Sequence, residues 1–362
     1  MKILHLARDE KFIPLMRELF ELAYPGCNHW LIARRSRAAL KFVAPGPRVQ
    51  DRAEWWFRTP LIARDVADAD AIVAHSMTTI FANAIRRAPD RARVAWLGWG
   101  YDYYPLLTPQ LGPALLPQTR ALVGADDDEA PPEKSMALTA IAPRLHCFSV
   151  LPPEVPMLRR AVPGLVAAHH ELPLFTTEDV FERGAASMAG PDVLVGNSAT
   201  ASNNHVEAFE MLQGRVTEPG RVIAPLSYGN LNYGRQVAAV GTRLFGDRFD
   251  PLTQWMPIDE YNRRIGSCGF VVMNHRRQQA VGNIGAALFK GATVYLRPEN
   301  PLASFYRDLG IHLRSTDELV SGTAPLEALT EAERAANRAR IGAHYARSRV
   351  IQAILELPAL RA

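Results

Sequence analysis

The stretch that most constrains the fold runs from residue 271 to residue 297 and reads VVMNHRRQQAVGNIGAALFKGATVYLR. The apolar run Gly269–Met273 predicts a buried strand, residues 284–290 predict a helix, and residues 292–296 predict the next strand. Two such strands joined by one helix are typical of a parallel βαβ unit. We therefore expect an α/β fold in which this loop lies at the carboxyl edge of a sheet, where open α/β folds bind ligands.

The loop and the helix start in this unit have the chemistry of an anion site. Unpaired N–H groups at the first turn of a helix carry the positive end of its dipole, which suits a phosphate or the diphosphate of a nucleotide-sugar. Arginines add charge-assisted contacts, and amide side chains add hydrogen bonds. The candidate ligands are Arg276, Arg277, Gln278, Gln279, Gly282, Asn283 and Ile284. The alternative is an ordinary turn between strand and helix whose arginines are solvated.

Length and composition favour an intracellular enzyme of two domains. The 362 residues, 48% of them hydrophobic, are enough for two cores. The three cysteines are far apart and lack metal-ligand spacing, so they predict neither disulfides nor a zinc site. The start MKILHLARDEKF has no apolar stretch of signal-peptide length, and no 18-residue apolar segment follows. We expect a cytoplasmic protein.

The net charge of +4 is too weak for a typical nucleic-acid-binding protein. The basic excess lies early in the chain, beside several aromatic residues, and such a mixture suits an anionic membrane face. A solvated helix and loop surface is the alternative. The basic residues are Arg34, Arg35, Arg37, Lys41, Arg48, Arg52 and Arg58, near Trp30, Trp55, Trp56 and Phe57.

Strand and helix patterns alternate in both halves of the chain, which predicts two Rossmann-like domains. The proline-rich stretch 151–191 is the candidate linker. We predict an amino-terminal domain over residues 1–175, a second domain over 176–330, and a helical tail over 331–362 that returns to the first domain. Asp126 to Glu129, followed by prolines, predicts an exposed acidic loop.

Two such domains facing each other across a cleft form the GT-B arrangement of glycosyltransferases, and also that of some epimerases and binding proteins. Five segments, all in the second half, resemble the bacterial TDP-N-acetylfucosamine:lipid II N-acetylfucosaminyltransferases, the 4-acetamido-4,6-dideoxygalactosyltransferases of enterobacterial common antigen synthesis. They are VLVGNSATASNNH (193–205), VIAPLSYG (222–229), the segment from Asp259, RRQQAVGNIGAAL (276–288) and LRPENPL (296–302). In the first half the resemblance covers His75 and the run WGYDYY from Trp99.

The resemblance implies that the second domain binds a TDP-sugar donor and that the first binds a lipid-linked saccharide acceptor, in peripheral contact with the inner face of the cytoplasmic membrane. It adds eight candidate donor-binding residues: Gly196, Asn197, Ser198, Ser227, Tyr228, Gly229, Glu299 and Asn300. Tyr228 offers a ring for a thymine base, and Glu299 a carboxylate for ribose hydroxyls. A plain capped turn at 196–198, a packed tyrosine and a helix N-cap at 299–300 are the alternatives.

Three segments depart from the family pattern. Ala280 stands where relatives tend to have glycine, the loop after Ser198 is less acidic, and residues 105–143 are proline-rich and acidic instead of basic. The first two differences bear on which donor sugar is bound. The third bears on the acceptor and on the membrane-docking surface.

Transfer from a nucleoside diphosphate requires stabilisation of the leaving diphosphate, which the arginines and the helix start can supply. No Asp-x-Asp pair follows a strand, so we predict activity without a metal or other cofactor. A base is needed if configuration inverts, and His75 and Asp102 of the first domain are the candidates, although each fits a structural role as well. An oxidoreductase is disfavoured because no glycine fingerprint follows the first strand, whereas a non-catalytic glycan- or nucleotide-binding protein remains a rival.

Overall fold

The computed structural model describes residues 1–35, 39–124, 132–184, 187–320 and 324–361. The chain divides into two compact units. Unit 1 comprises Met1–Gln110, Ala130–Thr176 and Arg347–Ala362, and unit 2 comprises Leu111–Glu129 and Thr177–Ala346. Arg37 of the basic cluster and the acidic loop 126–129 lie outside the described residues.

Unit 1 is built on a parallel sheet of seven strands in the order β3-β2-β1-β4-β5-β6-β7. Its central strands are buried along their length, as expected for a parallel sheet covered on both faces. The strands are β1 (Ile3–Arg8), β2 (Asn28–Arg34), β3 (Val49–Ala53), β4 (Ala71–His75), β5 (Arg93–Leu97), β6 (Cys147–Ser149) and β7 (Ala168–His169).

The helices of unit 1 include a segment from the carboxyl end of the chain. They are α1 (Ile13–Ala23), α2 (Glu54–Arg58), α3 (Ile62–Val66), α4 (Thr79–Arg87), α5 (Tyr104–Leu111), α7 (Pro132–Ile141), α8 (Val155–Ala161) and α15 (Arg347–Leu355). Helix α15 packs on α1, where the Tyr24 hydroxyl donates to the Leu355 carbonyl at 3.1 Å and Arg347 pairs with Glu18. The end of the chain therefore completes the core of unit 1.

Unit 2 contains a second parallel sheet, with the order β10-β9-β8-β11-β12-β13. The chain starts in the middle at β8, moves outward to β10, and then returns to the other side of β8 with β11. Its strands are β8 (Val193–Val195), β9 (Val222–Pro225), β10 (Phe249–Leu252), β11 (Phe270–Met273), β12 (Thr293–Leu296) and β13 (Arg314–Ser315). The strand order reverses between β8 and β11, and ligands of open α/β sheets bind at such a point.

Helices cover both faces of this second sheet. They are α6 (Pro117–Val123), α9 (His205–Leu212), α10 (Leu231–Phe245), α11 (Ile258–Ile265), α12 (Val281–Phe289), α13 (Pro301–Asp308) and α14 (Glu331–His344). The predicted α/β class with two Rossmann-like domains is confirmed. Helix α6 and helix α14 both belong to unit 2, although we placed their residues in the first domain and in the returning tail.

The stretch 151–191 was predicted as a linker, but most of it is folded. It contains α8 and the edge strand β7, and it remains part of unit 1 up to Thr176. His169 ties β7 to the sheet through a 2.8 Å contact between its Nε2 and the Val150 carbonyl. Prolines therefore mark helix starts here, since Pro156 lies in the first turn of α8.

The described part of the basic cluster is largely paired with carboxylates. Arg34 contacts Asp51 at 2.9 Å, and Arg52 contacts Asp65 at 3.1 Å. Arg35 and Arg48 are likewise paired, with Glu54 and Glu21 respectively. This pairing favours the solvated-surface interpretation of the cluster. Across the described ranges of the chain, none of the helices has both the length and the apolar character that crossing a bilayer requires.

Candidate donor site and candidate base

The predicted donor residues of unit 2 follow four strands of one parallel sheet. The loops after β8, β9, β11 and β12 carry residues 196–198, 227–229, 276–280 and 299–300 respectively. Because all the strands are parallel, these loops emerge at the same carboxyl edge. The loops after β8 and β11 flank the point at which the strand order reverses.

Gly196 is required by the backbone of the loop after β8. Its φ is +68°, a region that favours glycine. A Cβ atom at this position would lie 2.7 Å from His205 Nε2 and 2.9 Å from Asn203 Oδ1. Glycine therefore lets the chain turn directly over two buried side chains, which fixes the positions of Asn197 and Ser198.

The buried side chain of Asn203 fixes the backbone of this loop through hydrogen bonds. Its Oδ1 accepts the Asn197 N–H at 3.1 Å, and its Nδ2 donates to the carbonyls of Ser198 at 3.0 Å and Thr200 at 2.9 Å. The Nε2 of His275 also lies 2.9 Å from Asn203 Oδ1. Because amide oxygens only accept, His275 donates this bond, so its proton is on Nε2. One buried asparagine thus connects the loop after β8 with the loop after β11.

Side chains of the loop after β11 also reach the loop after β8. The Ser202 hydroxyl donates to Gln279 Oε1 at 2.7 Å, and Gln279 Nε2 donates to Asn197 Oδ1 at 3.3 Å. Arg277 contacts the Ser202 hydroxyl at 3.4 Å. The structure therefore brings three predicted donor residues, Asn197, Arg277 and Gln279, into one network with Ser202. Gln278 lies in the same partly buried loop.

Helix α12 begins at Val281, three residues earlier than predicted, and its start is open. Ala280 is the N-cap residue, and no side chain of the described residues caps the helix there. Gly282 and Asn283 lie in the first turn, where N–H groups have no acceptor within the helix. Ile284 differs from the prediction, because its side chain is buried in the core and its N–H already donates to the Ala280 carbonyl at 2.9 Å.

Ala280 adopts a backbone conformation that favours glycine. Its φ of +57° and ψ of +28° place it in the left-handed region, which costs an ordinary residue about 1 kcal/mol. We expect Ala280→Gly to leave the free energy of unfolding unchanged or to raise it by up to about 1 kcal/mol. The same change at Ala286, inside α12, should lower it by about 0.5–1 kcal/mol. Urea denaturation measures the free energy of unfolding of both variants. An equal loss of stability in the two would show that the backbone at Ala280 is not strained.

Arg276 and Glu299 interact with each other and with Arg297. Glu299 Oε1 lies 2.7 Å from Arg297 Nε and 3.5 Å from Arg276 Nε. Arg276 also donates to the Pro113 carbonyl at 3.0 Å. Two arginines on one carboxylate leave an excess of positive charge at this edge of the sheet, which suits an anionic ligand.

Asn300 has a structural role, in agreement with the alternative weighed from the sequence. Its Oδ1 accepts the Leu302 N–H at 2.9 Å and so caps α13. Its Nδ2 donates to the carbonyls of His275 and Arg277, both at 3.0 Å. Each polar atom of this buried amide makes a hydrogen bond, so Asn300 shapes the loop after β11.

The loop after β9 presents an open aromatic ring. Tyr228 is 78% exposed, and Ser227 is partly buried beside it. Gly229 has a φ of +110°, and a Cβ atom there would lie 2.6 Å from the Ala199 carbonyl. Ala199 donates to the Tyr228 carbonyl at 2.7 Å, which fixes this loop against the loop after β8. The packed-tyrosine alternative is therefore wrong for Tyr228.

In unit 1, His75 is the last residue of β4 and is almost fully buried. Its ring lies against Trp30, at a centroid distance of 5.0 Å, and its Nε2 lies 3.0 Å from Nδ1 of His5. Burial lowers the pKa of His75 well below its ordinary value, so the ring is neutral at pH 7. Its Nδ1 has no hydrogen-bond partner within the described part of the chain.

Asp102 occupies a different environment, because its oxygens are already engaged. Oδ2 accepts the Met77 N–H at 2.7 Å and the Trp96 indole N–H at 2.9 Å, while Oδ1 accepts the Trp99 N–H at 2.9 Å. Burial raises the pKa of Asp102, and these hydrogen bonds oppose the shift. The carboxylate fastens the loop 98–103 to the turn after β4, which favours the structural interpretation.

Several site residues were not predicted individually, although they belong to the segment 202–205 and to the strand end before Arg276. They are fully or nearly fully buried polar residues: Ser202, Asn203, Asn204, His205 and His275. Asn204 adopts φ +51° and links the site to α6 through its Oδ1, which accepts the Leu116 N–H at 2.8 Å. The signal in the sequence is the run of four polar letters between a strand and an apolar helix.

A comparison with known families matches the part of the chain that contains these loops. The family model described as 4-alpha-L-fucosyltransferase, glycosyl transferase group 56, matches residues 174–321, which include every predicted donor residue. The chain is a glycosyltransferase. Within residues 174–321 the match agrees with the glycosyltransferase resemblance inferred from the sequence, since most of the motifs that carry it lie in this segment.

Solved structures identify this glycosyltransferase as having the GT-B fold. A trehalose-6-phosphate protein from E. coli, bound with UDP-2-fluoro glucose, superposes with a TM-score of 0.67 at 10% identity over 100% of both chains. Sucrose-phosphate synthase from Thermosynechococcus elongatus gives 0.66 at 13% identity over 99% of this chain and 98% of that one. Anabaena HepE in complex with UDP and glucose gives 0.64 at 13% identity over 100% of both.

The described residues of this glycosyltransferase contain no group of three or more His, Cys, Asp or Glu side chains that could hold a metal ion. Positive charge at the candidate donor site comes from guanidinium groups and from the open start of α12. Both can act on a diphosphate directly.

Proposed function

We propose that the protein transfers a deoxyamino sugar, 4-acetamido-4,6-dideoxygalactose, from a TDP-sugar to a saccharide linked to polyprenyl diphosphate in bacterial surface polysaccharide synthesis. The observation that carries the proposal is the match of a fucosyltransferase family to residues 174–321, the segment that forms the open α12 start and the glycine-dependent loop at Gly196. The proposed sugar is, like fucose, a 6-deoxy-galactose.

The donor diphosphate is placed at the first turn of α12. There the N–H groups of Val281, Gly282 and Asn283 lie at the positive end of the helix dipole. Arg276 adds a charge that Glu299 neutralises only in part, because Arg297 shares the same carboxylate oxygen. Bond breaking at the anomeric carbon develops negative charge on the diphosphate, so these groups stabilise the transition state more than the ground state.

The nucleoside is placed beside Tyr228, whose exposed ring offers a stacking surface for a pyrimidine base. Gly196, Asn197 and Ser198 are placed beside the phosphates and the sugar, where Gly196 permits close approach of the backbone. The reaction needs no divalent ion in this proposal, because protein cations and helix N–H groups perform the electrostatic role.

The acceptor is assigned to unit 1, with His75 as the base. In a direct displacement, the acceptor hydroxyl loses its proton as its oxygen bonds to the anomeric carbon. His75 is neutral and has a buried ring nitrogen without a hydrogen-bond partner in the described structure, whereas the oxygens of Asp102 are occupied. The polyprenyl group places the protein at the inner face of the cytoplasmic membrane during turnover.

A panel of TDP- and UDP-sugars tests the donor assignment. Thermal unfolding should shift most with TDP-4-acetamido-4,6-dideoxygalactose, because a ligand stabilises the folded state by RT ln(1 + [L]/Kd). Transfer to a polyprenyl-diphosphate saccharide should then persist in excess EDTA. A preference for UDP-glucose, which HepE binds, would assign another donor, and binding without transfer or donor hydrolysis would indicate a non-catalytic protein.

We expect Arg276→Ala to weaken the interaction with the donor diphosphate. Loss of a charge-assisted contact costs about 1.5–3 kcal/mol, or about 10- to 150-fold in kcat/KM. Arg235→Ala is the matched control, since Arg235 is an exposed arginine of α10 in the same unit. Steady-state kinetics with the donor varied measure both variants. Equal kcat/KM values for the two variants would show that Arg276 does not bind the donor diphosphate.

A further inference from the structure

A chain of hydrogen bonds in unit 1 connects three buried side chains on neighbouring strands. Asn28 Oδ1 lies 3.1 Å from His5 Nε2, and His5 Nδ1 lies 3.0 Å from His75 Nε2. All three residues are at most 2% exposed. Each imidazole nitrogen in the chain either donates or accepts, so the position of one proton determines the next.

The first member of the chain has a fixed orientation. Asn28 Nδ2 lies 3.0 Å from the Phe20 carbonyl, 2.7 Å from the Tyr24 carbonyl and 3.0 Å from Glu21 Oε2. These three groups are acceptors, so the amide nitrogen faces them and the amide oxygen faces His5. An amide oxygen cannot donate, and therefore His5 carries a proton on Nε2.

The proton on His5 determines the proton on His75. Burial lowers the pKa of His5 to about 3, so its ring is neutral and its Nδ1 is a bare acceptor. The His75 Nε2 must then donate to it. The reverse order would place a bare His5 Nε2 against Asn28 Oδ1, two acceptors with no proton between them. His75, which is neutral as well, is left with a bare Nδ1.

That nitrogen is buried and has no hydrogen-bond partner among the side chains and backbone that the structure describes. An unsatisfied buried acceptor costs about 1–3 kcal/mol. The other buried atoms of unit 1 without a hydrogen-bond partner in the described structure, on Arg34, Arg52 and Trp99, are N–H donors, so His75 Nδ1 differs from them in being an acceptor. A catalytic role is one reason for keeping such a group. The hydrogen bonds from Asn28 through His5 make His75 Nδ1 an acceptor and not an N–H donor.

We propose that Asn28 and His5 are positioning residues that hold His75 in the tautomer with the proton on Nε2, so that Nδ1 is the base for the acceptor hydroxyl. The inference rests on the glycosyl transfer proposed above. The hydroxyl proton moves to Nδ1 while the hydroxyl oxygen forms its bond to the anomeric carbon. The bond from that carbon to the diphosphate oxygen breaks, and the diphosphate leaves with the electron pair.

The tautomer is measured directly by NMR on protein labelled with ¹⁵N-histidine, because protonated and bare ring nitrogens have separate ¹⁵N shifts. His75→Ala assigns the His75 signals by their loss. We expect a protonated Nε2 and a bare Nδ1 for both His75 and His5. His169 supplies an internal reference for this tautomer, since its Nε2 donates to the Val150 carbonyl.

Two variants separate positioning from packing. His5→Phe keeps a ring for the stack on Trp30, whose centroid lies 4.0 Å away, but removes the acceptor for His75 Nε2–H. We expect a change in the His75 nitrogen shifts and a fall in kcat of about 10- to 100-fold with little change in KM for the donor. Ile32→Val removes one buried methyl group from the same strand β2 and leaves the hydrogen bonds intact, so both the tautomer and kcat should be retained.

A protonated Nδ1 on His75 in the wild-type protein would overturn the proposal, and this spectrum suffices even if His5→Phe does not fold. An altered tautomer in His5→Phe without loss of kcat would also overturn it. Absence of turnover with every donor, beside the expected wild-type spectrum, would refute the proposed function and the proton transfer while the tautomer assignment stands.

Discussion

His75→Ala is expected to lower kcat by about 10²- to 10⁴-fold, the range that a positioned general base contributes. Donor affinity should be unchanged, because His75 lies in unit 1 and the donor residues lie in unit 2. The measurement is steady-state transfer with saturating acceptor, together with calorimetric titration of the donor. A large fall in kcat with intact donor binding would identify a residue that acts on the acceptor side.

His29→Ala is the matched control, because His29 lies on β2 of the same sheet and is only partly buried. It should retain kcat within about twofold, as expected for a surface change. Asp102→Asn serves as a second comparison. It should lower the melting temperature through the three bonds that Asp102 accepts, because an amide nitrogen would face N–H donors. If His75→Ala kept its kcat while kcat fell in Asp102→Asn without a fall in melting temperature, Asp102 would be the base and His75 a structural residue.

The parts of the fold that the sequence predicted are those with strong apolar periodicity. Strands β11 and β12 lie within one residue of the predicted runs, because both are short, continuous and buried, with mostly apolar residues. Helix α12 begins earlier than predicted because Ala280 adopts a left-handed conformation that the residue type does not reveal. Strand β2 was not predicted, since its apolar residues lie beside charged ones that suggested a surface.

The candidate site was predictable as a location but not in its internal connections. Parallel strands place their following loops at one edge, so the positions of Gly196 and Arg277 follow from topology. The role of Asn203 does not follow from topology, because its side-chain hydrogen bonds join segments up to 72 residues apart. Asp102 and His75 were equal candidates in the sequence. Only the contacts show that one has its oxygens occupied and the other has a nitrogen without a partner in the described structure.

Gly196→Ala should have the largest effect on the donor unit. The added methyl group would lie 2.7 Å from His205 Nε2 and 2.9 Å from Asn203 Oδ1. Both of these side chains are buried. The positive φ adds a further cost for a residue with a Cβ atom. Together these effects should lower the free energy of unfolding by about 2–4 kcal/mol.

Donor affinity should also fall, because relief of the clash moves the N–H of Asn197 away from Asn203 and displaces the loop that is placed beside the phosphates. A loss of one such contact, about 1.4 kcal/mol, weakens binding about tenfold. Gly342→Ala is the matched control in the same unit. Its Cβ atom would meet Phe289 at an ordinary 3.5 Å inside helix α14, so stability should be retained or rise by about 0.5–1 kcal/mol. Urea denaturation and donor titration of the two alanine variants should therefore diverge in both quantities, whereas equal stability would show that the loop after β8 tolerates a side chain at this position.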